Sequence, residues 1–312
     1  MGGKPTIYIL TGPTAVGKTE LALRWAEDNE AEIISCDSLL FYRGMNIGTA
    51  KPSANELQRV PHHLVDICEP SQPMNVAGYV RLARDAVDEI VRRGRQVLVT
   101  GGSGFYLKAF FGPVADEVSV PPSLRTALQT RFENHGLADL VRELESLNPN
   151  GLARLDTANP RRVLRALERC LVSGKTLEEL QTAFLAQPGP FADFDPVCVQ
   201  LDRQPAELNQ RIEKRVDHMI AAGLIDEVAS LDSQKFRANP SASHSIGYRE
   251  TLAMLDGNLA SSDLAAEISR NTRALVKKQR TWFRTQLPTH EVTMAEGLDA
   301  QFLFKSSEAG VG

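Results

Sequence analysis

Four patterns in the chain combine residue types and spacing suited to chemistry. The first is "GPTAVGKT", made of Gly12, Pro13, Thr14, Ala15, Val16, Gly17, Lys18 and Thr19. A G-x-x-x-x-G-K-T string turns backbone N–H groups onto phosphate, reaches terminal phosphates with a lysine and offers a hydroxyl to Mg²⁺. The plain alternative is a chance match in a glycine turn. The second is Asp37 in "IISCDSLLFYRG", a carboxylate just past an apolar run. There it could act as a general base or hold a metal, or simply cap a helix. The third is "VTGGSGFY", where Gly101, Gly102 and Gly104 let backbone approach a ligand and Ser103 adds a hydroxyl. Its alternative is a tight strand-to-helix turn. The fourth is charge: residues 269–284, "SRNTRALVKKQRTWFR", carry six basic residues and no acidic one. Arg270, Arg273, Lys277, Arg280 and Arg284 recur at helical spacing, with Leu275, Trp282 and Phe283 mostly opposite. "PRRVLRALER" adds Arg161, Arg162, Arg165 and Arg169 against Glu168. A solvated helix face carries mixed signs, so these stripes point to nucleic acid or several phosphates.

The elements that must position these residues alternate at first. "TIYILTG" reads as a strand entering the phosphate loop, and a helical pattern runs from Lys18 to about Asp28. "AEIISCDS" and "RQVLVTGG" read as further strands, separated by a helical pattern at 75–94. This alternation implies a parallel sheet covered on both faces. The first three patterns then fall at carboxyl ends of strands, where open α/β sheets bind ligands. From about Val120 to Gln187 only helical patterns occur, including a capping box from Thr176 to Glu179. A strand at 196–203, a helix opening at Pro205, a long helix over 262–284 and a short strand at 289–294 complete the reading. The expected organisation is an α/β core, 1–118 with 192–296, interrupted by a helical lobe, 119–191. Residues 297–312, small and polar, are expected as a flexible tail.

Bulk properties set limits. The chain has 312 residues, 42% hydrophobic and 24% charged, as globular domains do. A formal net charge of −4 does not by itself announce a nucleic-acid binder, so that role must rest on local stripes. Cys36, Cys68, Cys170 and Cys198 lie far apart, which argues against a zinc site or disulfide framework and suits a reducing cytoplasm. No basic-then-apolar leader opens the chain, and no run approaches the ~18 apolar residues of a spanning helix. His62 and His63 lack partners at metal spacing and read as packing residues. The expected protein is cytoplasmic and monomeric.

Taken together, the stretches "GPTAVGKTELA", "IISCDSLLFYRGMNIGTAKP", "HHLVDICEP", "VLVTGGSGFYLKA", "NPRRVLRALE", "LNQRIEKRVDHMIAAGLIDEV", "SIGYRE" and "TRALVKKQRTWFR" resemble the tRNA dimethylallyltransferase (tRNA isopentenyl-diphosphate transferase) family, bacterial type. The resemblance spans residues 10 to about 284. It implies a P-loop NTPase-like parallel sheet flanked by helices, with an inserted all-helical lobe. It also implies transfer of a dimethylallyl group from dimethylallyl diphosphate to N6 of the adenosine 3′ of the anticodon in tRNA. The phosphate loop would then hold the donor's diphosphate, with Mg²⁺ at Thr19. Asp37, Ser103 and Arg215 are implied as catalytic, with Arg211 as the alternative contact to the diphosphate.

For tRNA the resemblance implies, around the catalytic aspartate, Asp37, Ser38, Leu39, Leu40 and Ser103. In the lobe it implies Arg125, Arg161, Arg162, Val163, Leu164 and Arg165. In the later stretches it implies His244, Ser245, Ile246, Gly247, Tyr248 and Arg249, then Lys277, Lys278, Gln279, Arg280, Thr281, Trp282, Phe283 and Arg284. Cys36 and Val16 stand where the family has small residues, and Ser103 stands where it usually has threonine. An adenylate isopentenyltransferase would use the same donor but needs neither basic stripes nor an extra lobe. A P-loop nucleotide kinase would lack the 35–52 stretch, and an RNA-binding module without chemistry would not need Asp37 and Ser103 beside the loop.

Overall fold

The computed structural model describes residues 3–114, 118–233, 235–288 and 290–305. They fall into two compact units, 1–114 with 189–312, and 115–188. The first is built on a six-stranded sheet in which every pairing is parallel. Its strands are β1 Thr6–Thr11, β2 Ala31–Ser35, β3 His62–His63, β4 Gln96–Gly101, β5 Asp195–Asp202 and β6 Glu291–Met294, in the order β3-β2-β4-β1-β5-β6. β1 lies between β4 and β5, with Ile9 opposite Val99 on one side and Cys198 on the other. Its side chains divide between two apolar layers. Ile7 and Ile9 join Val97, Val99 and Phe283, while Leu10 joins Leu98, Leu201 and Trp25. Burial on both faces is why these strands read as nearly unbroken apolar runs.

Parallel strands need crossovers, which helices supply. α1 Lys18–Asp28 links β1 to β2, α2 Ala54–Arg59 precedes β3, α3 Val76–Arg92 leads to β4, and α4 Gly104–Lys108 follows it. Asn75 caps α3 by accepting from Gly78 N at 2.8 Å. The second unit holds α5 Pro122–His135, α6 Leu137–Ser146, α7 Pro160–Ser173 and α8 Leu177–Leu185, and no strand among its described residues. These helices share their own core of Leu128, Leu140, Leu144, Val163, Leu167 and Leu180. Back in the first unit, α9 Pro205–Ala221, α10 Leu224–Asp232, α11 Pro240–Ser243, α12 Tyr248–Leu255 and α13 Leu264–Gln286 lie between β5 and β6. All five help close a third core that includes Tyr42, Ile212, Val228, Ala242, Tyr248 and Val276.

Three readings of the sequence change here. His62 and His63 form a strand, pairing with Ile33 and Ile34, and His63 Nε2 lies 2.7 Å from the buried Glu32. Two residues are too few for periodicity to register. The α/β unit resumes at 189 because Phe191 stacks on Phe110, with ring centroids 4.4 Å apart. Residues 297–305 are not a loose tail. Ala300, Leu303 and Phe304 are buried, and the Phe304 ring sits 5.0 Å from Tyr8 and 5.1 Å from Trp25. Ala300, Leu303 and Phe304, with Leu298 packed beside them, anchor a segment expected to be frayed. Residues 306–312 lie outside the described residues.

Candidate active site

The phosphate loop occupies residues 12–17 between β1 and α1, at the sheet's carboxyl edge. Ala15 takes φ 63 and Gly17 φ 104, and Gly17 caps α1 without any side-chain bond. The N–H groups of the first turn of α1 therefore remain open to an anion. Lys18 Nζ donates to the carbonyls of Gly12 and Pro13 at 2.9 and 3.0 Å, which folds it back over the loop. Burial of its ammonium pushes its pKa down to about 8; Asp37 opposes this and Arg215 adds to it. Arg211 Nε donates to Ala15 O at 2.8 Å and Arg203 Nε to Val16 O at 2.8 Å, so two guanidinium groups brace the loop from α9 and its approach.

Asp37 follows β2, and its Oδ1 accepts from Leu39 N at 3.0 Å, a turn that leaves the other oxygen to the cavity. Ser103 follows β4, and its Oγ accepts from Ser38 N at 3.0 Å and lies 3.2 Å from Ser38 Oγ. The two turns meet because β4 ends in Gly101: a Cβ there would stand 2.2 Å from Cys36 O. Arg215, from α9, donates to Thr49 O at 3.2 Å. Its pKa is lowered by desolvation, with Asp37 the one opposing charge.

Two cavities open around these groups. One, of about 510 Å³, is lined by the phosphate loop with Lys18, Thr19, Arg211, Lys214 and His62. The other, of about 480 Å³, is lined by Ser38, Leu39, Ser103, Phe105, Ile246, Lys278 and Trp282 among others. Thr14, Asp37, Thr49, Gly102, Arg215 and Gln279 line both. Asp37 thus stands at the junction of a cationic chamber and a more apolar one. A carboxylate there can take a proton from a group in one chamber while cations stabilise negative charge in the other.

A family model described as "IPP transferase" matches residues 40–286. The tRNA dimethylallyltransferase of Opitutus terrae is 62% identical over 302 residues, covering 96% of this chain and 97% of that one. The tRNA dimethylallyltransferase 1 of Trichlorobacter lovleyi is 40% identical over 285 residues, covering 91% and 92%. The crystal structure of the full-length tRNA isopentenylpyrophosphate transferase from Bacillus halodurans matches with a TM-score of 0.70 at 32% identity, covering 98% and 96%. The chain belongs to the tRNA dimethylallyltransferase family.

The residues that the sequence marked for this family fall into several settings. Ser38, Leu39, His244, Ser245, Ile246, Gly247, Lys278, Gln279, Trp282 and Phe283 line the second chamber, and Leu40 lines the first. Lys277, Lys278 and Arg284 are exposed on α13 and form no ion pair among the described residues. Arg280 differs: its guanidinium holds Asp202 Oδ1 at 2.5 and 3.1 Å and Arg203 O at 2.8 Å, so it pins α13 to the end of β5 rather than facing open solvent. Arg273 pairs with Glu213 at 3.2 Å, and Arg270 pairs with Glu267. Tyr248 is fully buried, with its hydroxyl 2.7 Å from Glu227 Oε1, and Arg249 pairs with Glu250 at 2.5 Å. Tyr248 is therefore no surface contact. Val163 faces the lobe's core and Phe283 the sheet, so for both the apolar face outweighs the basic neighbours. In the lobe, Arg125, Arg161, Leu164 and Arg165 border a surface cavity of about 720 Å³. Arg165 holds the buried Glu168 at 2.6 Å, Arg162 lies 4.0 Å from Asp156, and Arg161 forms no ion pair among the described residues.

Some residues of the candidate site have another place than the sequence implied, or were not named by it. Gln279 was marked for tRNA, yet its Oε1 accepts from Thr14 N at 3.0 Å and its Nε2 donates to Gly102 O at 3.2 Å. It ties the phosphate loop to the Ser103 turn. Thr49, Phe105 and Lys214 lie within the quoted stretches and line the chambers, but none was named as a site residue there. Phe105 follows the glycine turn directly, a placement the sequence shows, and the structure leaves it 70% exposed. No group of three His, Cys, Asp or Glu residues suited to a metal exists among the described residues.

Proposed function

We propose that the chain transfers a dimethylallyl group from dimethylallyl diphosphate to N6 of the adenosine 3′ of the anticodon in tRNA. The observation that carries this is Asp37 at the junction of the two chambers. The phosphate loop, Lys18, Arg211 and Arg215 suit the diphosphate in one chamber. The other, with Phe105 and Trp282 among its walls, suits a base turned out of its stack. The exposed Lys277, Lys278 and Arg284, and in the lobe Arg161 and Arg162, offer charge to the tRNA backbone.

The reaction balances as follows. The allylic C–O bond of the donor breaks and its electron pair leaves with the diphosphate. The N6 lone pair forms the new C–N bond, and the N6 proton passes to the Asp37 carboxylate. An exocyclic adenine amine is a weak nucleophile, so a base within reach of its proton contributes typically ~10²–10⁴-fold. Ser103, through Ser38, holds the turn that aims Asp37. Thr19 fits a Mg²⁺ ion carried on the diphosphate: its hydroxyl opens the first turn of α1, lines the phosphate chamber and makes no hydrogen bond among the described residues. When bound, such an ion supplies charge neutralisation at the leaving group.

The test is mass spectrometry of anticodon-loop fragments after incubating unmodified tRNA with the protein, Mg²⁺ and dimethylallyl diphosphate. A mass increase on the adenosine 3′ of the anticodon is expected. Modification of free AMP with tRNA left untouched would overturn the reading in favour of an adenylate isopentenyltransferase.

A further inference from the structure

Three consecutive backbone N–H groups, of Asn46, Ile47 and Gly48, converge on one carboxylate. Glu227 Oε2 accepts from Asn46 and Ile47 at 2.9 and 2.8 Å, and its Oε1 accepts from Gly48 at 3.2 Å. The buried Tyr248 hydroxyl donates to the same Oε1 at 2.7 Å. Burial, then the charge of Glu227, raises the Tyr248 pKa, so the hydroxyl stays a donor across the physiological range. The Tyr248 ring also packs against the loop: a Cβ on Gly48 would stand 2.5 Å from it. Successive N–H groups aimed one way form an anion-binding concavity. Here α10 and α12 fill that concavity from within the fold.

Glu227 lines neither reaction chamber, but the loop it grips does. The residue after Gly48 is Thr49, which borders both chambers and whose carbonyl accepts from Arg215 at 3.2 Å. No ion pair holds Arg215 among the described residues, so that carbonyl is the fixed point that aims its guanidinium. We infer that Glu227, with Tyr248 behind it, is a positioning residue that sets Arg215 through the 46–49 loop. This rests on the reading of Arg215 as a diphosphate-facing group. Four hydrogen bonds to one carboxylate leave the loop little freedom, and a displacement of about 1 Å at a reacting centre can cost as much as ~100-fold in rate.

The experiment compares full-length Glu227→Gln, Tyr248→Phe, Arg215→Ala and the two double variants by single-turnover prenyl transfer, with thermal melting alongside. Glu227→Gln keeps the shape but points an amide donor at N–H groups. It is expected to lose about ten- to a hundredfold in rate, with tRNA KM little changed. In the Arg215→Ala background the same substitution should cost almost nothing further, because groups that act through one another are non-additive. Should Glu227→Gln fail to fold, Tyr248→Phe serves: it removes one donor of four, with an expected loss of about three- to tenfold that Arg215→Ala again masks. A folded Glu227→Gln with normal rate, or losses that multiply in the double variants, overturns the inference while leaving Arg215 in its role. A normal rate for Arg215→Ala alone overturns both.

Discussion

Lys18 and Asp37 were legible because each is one residue in a spaced pattern, yet their chemistry depends on neighbours that no pattern displays. Lys18 sits at about pKa 8 in the free protein against an ordinary 10.5, chiefly through desolvation. The charged form binds diphosphate, so affinity for inorganic diphosphate should be full below about pH 8 and fall as pH rises through it. The sign for folding is opposite: a cation with a depressed pKa costs stability while protonated, so the Lys18 contribution improves between about 8 and 10.5. Calorimetric titration of diphosphate at pH 7 and pH 9 checks the first statement, and Lys18→Met should remove the part of the pH dependence that exceeds the titration of diphosphate itself. Asp37→Asn retains the bond from Leu39 N but cannot take a proton at neutral pH. Its kcat should fall about 10²–10⁴-fold with tRNA affinity little altered; a near-normal kcat would exclude Asp37 as the base. Ser103 shows where residue-scale reading stopped. Its hydroxyl was visible, but its engagement by Ser38, 65 positions away in sequence, arises only from the meeting of two strands.

At the scale of elements, strands β1, β2, β4 and β5 announced themselves, since a sheet buried on both faces writes apolar runs into the chain. β3 did not, because two histidines pairing with Ile33 and Ile34 gain their place from the neighbouring strand. Helix α13 was legible as a helix and as basic, but not in what each charge touches. Charge periodicity cannot distinguish a lysine in water from an arginine holding Asp202 across 78 positions. The two kinds should separate experimentally. Lys277→Glu with Lys278→Glu should raise KM for tRNA, leave KM for dimethylallyl diphosphate nearly unchanged, and flatten the log–log salt dependence by about 0.7 to 0.9 per lost phosphate contact. Arg280→Glu places a carboxylate against Asp202 and Arg203 O. It should lower thermal stability by about 1–3 kcal/mol and weaken both substrates together. If Arg280→Glu raised only the tRNA KM at unchanged melting temperature, its place would be on the binding face after all.

For the molecule as a whole, the closing segment is held by packing. Phe304 completes an aromatic trio with Tyr8 and Trp25 on the sheet face that adjoins α1. Phe304→Ala should cost about 3–5 kcal/mol in urea unfolding. No helix among the described residues is long and apolar enough to cross a membrane. Two chambers that share Asp37 also bear on whether both reactants are bound at once during turnover. On the proposed reading each reactant has its own seat, so neither must vacate for the other, and no enzyme-bound prenyl intermediate is required. Initial rates should therefore give intersecting lines when both concentrations are varied, where a shuttling enzyme gives parallel ones. Diphosphate, returning to the seat it left, should compete with the donor but not with tRNA.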